Sequence, residues 1–160
     1  MAYWLVKSEP TEYSYADLER DAKTQWSGIH NPTALLHLRA MRPGDELLFY
    51  HSGGERAVVG VARVASGPRP DRSDARRSWT LEVRPVRPLP RPVGLAELRA
   101  EPALRDFILF RISRLSVLPV TAAQWKRIIA RSATSPPVQG RKPGSRSSSR
   151  AAAPRKRGST

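Results

Sequence analysis

Three short segments, far apart in the chain, end apolar runs with polar groups able to do chemistry: residues 3–10 (YWLVKSEP), 49–52 (FYHS) and 114–117 (RLSV). Lys7, Ser8, Glu9, His51 and Ser52 offer an ammonium, two hydroxyls, a carboxylate and an imidazole. Such a set can act as acid, base and nucleophile, or it can ring the edge of a planar ligand with donors and acceptors. Trp26 and Tyr50 add aromatic faces for stacking, and Arg114, followed by Ser116, adds a cation for a phosphate or a base edge. Arg114 can equally pair with an acidic neighbour.

Trp26 precedes Ser27 and Gly28 in a segment read as a loop between two helices, where a large indole beside small residues is open either to presentation for stacking or to anchoring the loop in the core. Asn31 precedes Pro32, the pair that starts a helix: Asn caps free backbone N–H groups and Pro is preset for the first helical position. A cap and a ligand contact are both open to Asn31. The only histidines are His30, His37 and His51, there is no cysteine, and no HExxH spacing occurs, so neither a metal site nor a disulfide is expected. GxSxG and GxxxxGK motifs are absent too. Catalysis by Lys7, Glu9, His51 and Ser52 is therefore the minority reading, and no cofactor is called for.

Elements must bring these groups together. Residues 3–7 read as a strand stopped by Ser8, Glu9 and Pro10. Ser14 and Asp17 have capping-box spacing ahead of a short helix at 15–20. The helix begun by Asn31 buries Leu35, Leu38 and Met41 and stops at Pro43–Gly44. Residues 45–52 and 57–64 form an antiparallel hairpin around Gly53 and Gly54. After a polar loop at 66–78 comes a strand at 79–86, and Pro85, Pro88, Pro90 and Pro92 keep the next stretch extended. Helical turns fall at 95–99 and 102–109, a last strand at 115–120, and Thr121 with Gln124 caps a closing helix through Ile129. Trp4, Leu5, Leu48 and Phe49 are assigned to the core. The mixed order of strands and helices gives an α+β domain on a small curved sheet or barrel.

The 160 residues suffice for one domain. The net charge of +14 is uneven: residues 1–130 carry 20 basic and 14 acidic side chains, whereas 131–160 carry 8 basic and no acidic ones. The domain is placed at 1–131, and 132–160, rich in Ser, Pro, Arg and Ala, is read as a disordered basic tail. A basic fold with a basic tail suits a polyanionic partner, although arginines outnumber lysines 23 to 5, a bias that coding composition alone can produce. Arg69, Arg72, Arg76 and Arg77 can grip a nucleic-acid backbone or simply decorate a solvated loop. No stretch approaches the roughly 20 apolar residues of a membrane helix, and no leader pattern is visible, so a monomeric cytoplasmic protein is expected, nucleoid-associated or nuclear according to its source.

Taken in order, YWLVKSEP, WSGIHNPTALLHLR, GDELLFYHSGGERAVVGVA and RLSVLPVTAAQW resemble the EVE domain, a PUA-like family related to YTH and ASCH domains, over about residues 2–130. The resemblance implies a mixed β pseudo-barrel of five to six strands with peripheral helices. Its pocket receives a modified base extruded from DNA or RNA. By position, the family's pocket falls on Lys7, Ser8, Glu9, Trp26, Asn31, Tyr50, His51, Ser52, Arg114, Leu115 and Ser116. A non-enzymatic reader is the function implied. The alternatives are an ASCH-like hydrolase removing an acyl group from a modified nucleoside, with Lys7 and Glu9 as acid–base pair, and a nonspecific binder using loop and tail arginines.

Overall fold

The computed structural model describes residues 1–134, so nearly all of the tail, with its expected disorder, lies outside the described residues. Strand β1 (Tyr3–Ser8) is the penultimate strand of the sheet, burying Trp4, Leu5 and Val6. It pairs in parallel with β3 (Glu46–His51) and antiparallel with β6 (Val117–Val120). Beyond β3 come β4 (Ala57–Pro70) and β5 (Trp79–Gly94), both antiparallel, and then the short β2 (Thr24–Trp26). The six strands lie in the order β2-β5-β4-β3-β1-β6, within the expected α+β plan. Trp4, Leu5, Leu48 and Phe49 are all buried, as assigned.

Two expectations change, and a third, the extended form of the proline-rich stretch, holds with the strand running on to Gly94. The segment before Gly28 is not a loop between helices: residues 24–26 add an edge strand to β5. The polar stretch at 66–78 is strand as far as Pro70, leaving only 71–78 as the hairpin tip. The proline-rich run belongs to β5 itself, and the β4–β5 register slips at four places, with Pro85 opposite Ala62 and Pro88 opposite Gly60. Proline has no N–H to give a ladder, so it is accommodated where bulges already interrupt the pairing.

The helices surround this sheet: α1 (Tyr15–Asp21), α2 (Pro32–Ala40), α3 (Leu95–Arg99), α4 (Ile108–Arg111) and α5 (Ala122–Ser132), with a 3₁₀ turn at Pro102–Leu104. Both capping boxes form. Ser14 Oγ accepts from Asp17 N at 3.1 Å and Asp17 Oδ2 from Ser14 N at 2.9 Å, and Thr121 and Gln124 repeat the pattern at α5. In α2 the buried residues are Ala34 and Leu38, with Met41 just beyond, while Leu35 is only partly covered. The last strand starts at Val117, not 115. No helix among the described residues is long and apolar enough to cross a membrane.

Candidate functional site

The end of β1 lies between two clefts. One, of about 270 Å³, is bordered by Lys7, Ser8 and Glu9 from β1 and its exit, by Glu12 and Tyr13 from the turn before α1, and by Thr24, Gln25, Trp26, Ser27 and Ile29 around β2. The other, of about 380 Å³, is lined by Lys7 again, with Tyr50, Ser52, Gly53, Arg56, Leu95, Arg99, Leu109 and Ser113. The sequence grouped Trp26, His51 and Ser52 around one hollow, and the structure separates them. Strand alternation puts Tyr50 on one face of β3 and Phe49 with His51, edge-on to each other at 5.7 Å, on the other; His51 shares the Phe49 face with Trp26 but is buried and lines neither cleft.

In the smaller cleft Trp26 is an almost fully covered wall, 8% exposed, with its ring edge-on to Phe49 at 5.5 Å. It is anchored rather than presented on a loop: the Thr80 hydroxyl donates to the Trp26 carbonyl at 3.0 Å, and β2 fixes the backbone against β5. Gly28, at φ +76°, then turns the chain toward α2, a conformation a side-chain-bearing residue adopts at a cost. Ser8 Oγ donates to the Tyr13 carbonyl at 2.5 Å, which closes the β1 exit onto the α1 approach. Glu9 accepts from the N–H groups of Glu12 and Tyr13 through its carbonyl, shaping the same turn. Its carboxylate lies so close to Gly53 that a β-carbon there would come within 2.2 Å of Glu9 Oε1.

His51 is a structural residue here. Its Nε2 accepts from the Tyr15 backbone N–H at 3.0 Å, satisfying a free donor in the first turn of α1, so Nδ1 carries the ring proton and donates to Glu55 Oε1 at 2.8 Å. With both nitrogens engaged and the ring 9% exposed, it is not available to read a base edge. Asn31 is exposed and spends its Oδ1 on the Ala34 N–H at 3.0 Å: of the two roles left open for it, the cap is the one observed, and it lines neither cleft. Leu115 is buried, Arg114 is exposed and lines neither cleft, and Ser116 contributes only its carbonyl, which accepts from Lys7 N at 2.9 Å. Of the expected set, Lys7, Ser8, Glu9 and Trp26 share the smaller cleft, and Lys7, Tyr50 and Ser52 share the larger.

Burial dominates the electrostatics at the β1 end. It lowers the pKa of Lys7, whose ammonium donates to the Ser113 carbonyl at 2.8 Å and lies 6.0 Å from the Tyr50 ring centre. It raises that of the Tyr50 phenol, against the opposing pull of Arg56 and Arg99. Lys7 and Glu9 border one cleft, yet they are not among the ion pairs of the described residues. Sequence reasoning missed Glu12, Tyr13, Thr24, Gln25, Ser27 and Ile29. No local signal marked them: residues 24–29 come beside the β1 end only because 24–26 pair with β5, and Glu12 and Tyr13 lie there through the turn that leaves β1.

A third hollow of about 390 Å³ adjoins the smaller cleft through Gln25 and Ser27 and is lined by Arg69, Arg72, Asp71 and Ser73 at the β4–β5 hairpin tip. Arg69 donates to Gln25 Oε1 at 2.8 Å, fastening that tip to β2. Two of the four loop arginines singled out from the sequence thus border the site.

The family model of the EVE domain matches residues 2–131, and the chain belongs to the EVE domain family. Thymocyte nuclear protein 1 of Homo sapiens is 29% identical over 81% of this chain and 73% of its own length, and the Mus musculus protein is 31% identical over 84% and 75%. The solution structure of Rpa0253 from Rhodopseudomonas palustris superposes with a TM-score of 0.78 at 41% identity, covering 81% of this chain and 92% of that one. A crystal structure of human THYN1 in complex with 5-methylcytosine-containing DNA superposes at 0.78 with 26% identity, over 85% and 100% of the two chains. An ASCH protein from Zymomonas mobilis, at 10% identity and a TM-score of 0.55, shares the fold.

Proposed function

We propose that this protein is a non-enzymatic nucleic-acid-binding module that takes a modified base, extruded from its strand, into the cleft between Trp26 and the Lys7–Glu9 segment. The observation that carries this reading is the cleft itself. About 270 Å³, just under the range of pockets for drug-sized ligands, suits a single heterocycle, and an anchored indole and a phenol border it beside carboxylate, hydroxyl and ammonium groups. The same-fold human protein bound to 5-methylcytosine-containing DNA supports the ligand class, and DNA is the first polymer to test. Trp26 and Tyr13 supply the apolar surfaces, while Ser8, Glu9, Glu12 and Ser27 face the polar edge of the base. Tyr50, His51, Ser52 and Asn31 are left out of the base-reading set.

The test is titration of the purified chain with strands that differ only in one modified base, 5-methylcytosine first. Trp26→Ala should weaken binding of the modified strand by about tenfold or more, since stacking is worth ~1 to 3 kcal/mol per base. Because Trp26 also packs on Phe49, Glu9→Gln provides a second variant that leaves the core intact and should reduce the ratio of modified to plain affinity. Equal binding of modified and plain strands across a panel of modifications would end the reader hypothesis in favour of nonspecific binding. Release of product from an acylated modified nucleoside would favour the hydrolase.

A further inference from the structure

The larger cleft holds three cations and no carboxylate among its lining residues: Lys7, Arg56 and Arg99. None of the three enters an ion pair among the described residues, although Lys7 is half-buried. A partly desolvated cation without a counter-ion is costly unless an anion arrives from outside. The Glu9 carboxylate approaches Gly53 at the rim of this cleft, and Glu55 is engaged by His51.

The two guanidinium groups are positioned without spending their terminal donors. Arg56 uses Nε on the Gly53 carbonyl at 3.1 Å, and its own carbonyl accepts from Leu95 N at 2.8 Å, which ties the β3–β4 turn to the start of α3. Arg56 also sits at φ +50°, a left-handed conformation uncommon for a residue with a side chain. Arg99 lies over the Phe110 ring at 4.9 Å, a contact that orients its plane, and its N–H groups have no acceptor among the described residues. Planar donors held in this way match phosphate oxygens in pairs. Adjoining space of about 460 Å³, again bordered by Arg56, Leu95 and Arg99 and carrying one carboxylate, Glu55, which His51 engages, continues the cleft and gives a strand room to pass.

We propose that Lys7, Arg56 and Arg99 bind a phosphodiester group of a nucleic-acid strand, at a site separated from the base cleft by the end of β1. The assignment stands on this cleft's own geometry and holds whether or not a base enters the other. Only Lys7 belongs to both.

The experiment uses the full chain and a short unmodified single-stranded DNA, so that base reading plays no part. Arg56→Asn with Arg99→Gln is the test variant, Asn being chosen because it tolerates the left-handed conformation. Arg84→Gln with Arg87→Gln, two exposed arginines of β5 outside the cleft, removes equal charge as the control. The test variant should lose about tenfold in affinity for the plain strand, the scale of one hydrogen bond to a charged group. The slope of log affinity against log salt should shrink by about 0.7 for each phosphate released. Binding of a modified strand should fall by the same factor, leaving the modified-to-plain ratio unchanged. Losses equal to the control's would overturn the assignment, as would a collapse of that ratio with plain-strand affinity intact. Displacement by inorganic phosphate matched in concentration to the strand's phosphates would overturn the polymer as ligand.

Discussion

Tyr15 and Gly60 form a pair that neither side chain discloses alone. The phenol donates to the Val61 carbonyl at 2.8 Å, and its ring lies where a β-carbon on Gly60 would be, 2.5 Å away. Gly60 therefore sits inside β4 to admit this ring, beside one of the register slips. Gly60→Ala should lower unfolding free energy in urea by about 1–3 kcal/mol through overpacking. Burial, with a smaller contribution from Glu19, pushes the Tyr15 pKa from the ordinary 10 up to about 12. Between those values the folded chain keeps a proton that the unfolded chain has released, so the stabilisation is complete below pH 10 and is lost as pH rises toward about 12. Denaturation at stepped alkaline pH should show this loss in the native protein and a flatter profile in Tyr15→Phe.

Among the elements, the turn entering β3 shows how one buried acid joins two strands. Asp45 accepts from the Ala2 N–H, the Trp4 indole and the Arg42 N–H, each at 3.0 Å, and so locks the start of β1 beside β3. Burial alone would raise its pKa. The backbone donors at Ala2 and Arg42, the indole and the N-terminal charge outweigh that and hold it low. Its contribution is thus present above the ordinary aspartate range and disappears as pH falls through the depressed value. Asp45→Asn, which cannot serve three donors equally, should cost about 1–3 kcal/mol at neutral pH, and the gap to the native protein should narrow in acid denaturation. His51 does a comparable job for α1, and its substitution should loosen the first turn of that helix at Tyr15.

At the scale of the molecule, closure depends on a network of charges between β5, α3 and α5. Arg91 grips Glu97 through two bonds of 2.8 and 2.7 Å, Arg131 reaches Glu97 at 2.9 Å and Glu101 at 2.8 Å, and Arg91 also donates to the Arg131 carbonyl at 2.8 Å. The Arg91 bond, with lesser help from Arg131, holds the Glu97 carboxyl below its ordinary range. Side-chain exposures of 8% to 22% put this network between a surface pair and a buried one. Glu97→Gln should therefore cost about 1–2 kcal/mol. It should also speed amide exchange in α5, and the difference should shrink at high salt.

Much of this was legible in the chain. The capping boxes at Ser14 and Thr121, the Asn31–Pro32 helix start, the β3–β4 hairpin and the core assignment of Trp4, Leu5, Leu48 and Phe49 follow from local propensity and periodicity, which act over a few residues. That Lys7, Ser8 and Glu9 would border a cleft was legible too, because polar groups at the end of an apolar run must emerge somewhere. Tertiary pairing decided the rest. Three residues at 24–26 are too few to carry a strand signal, and they become one only against β5. Which face of β3 each of Tyr50 and His51 takes depends on how that strand is set in the sheet, and the cationic lining of Lys7, Arg56 and Arg99 joins parts of the chain that share no local pattern.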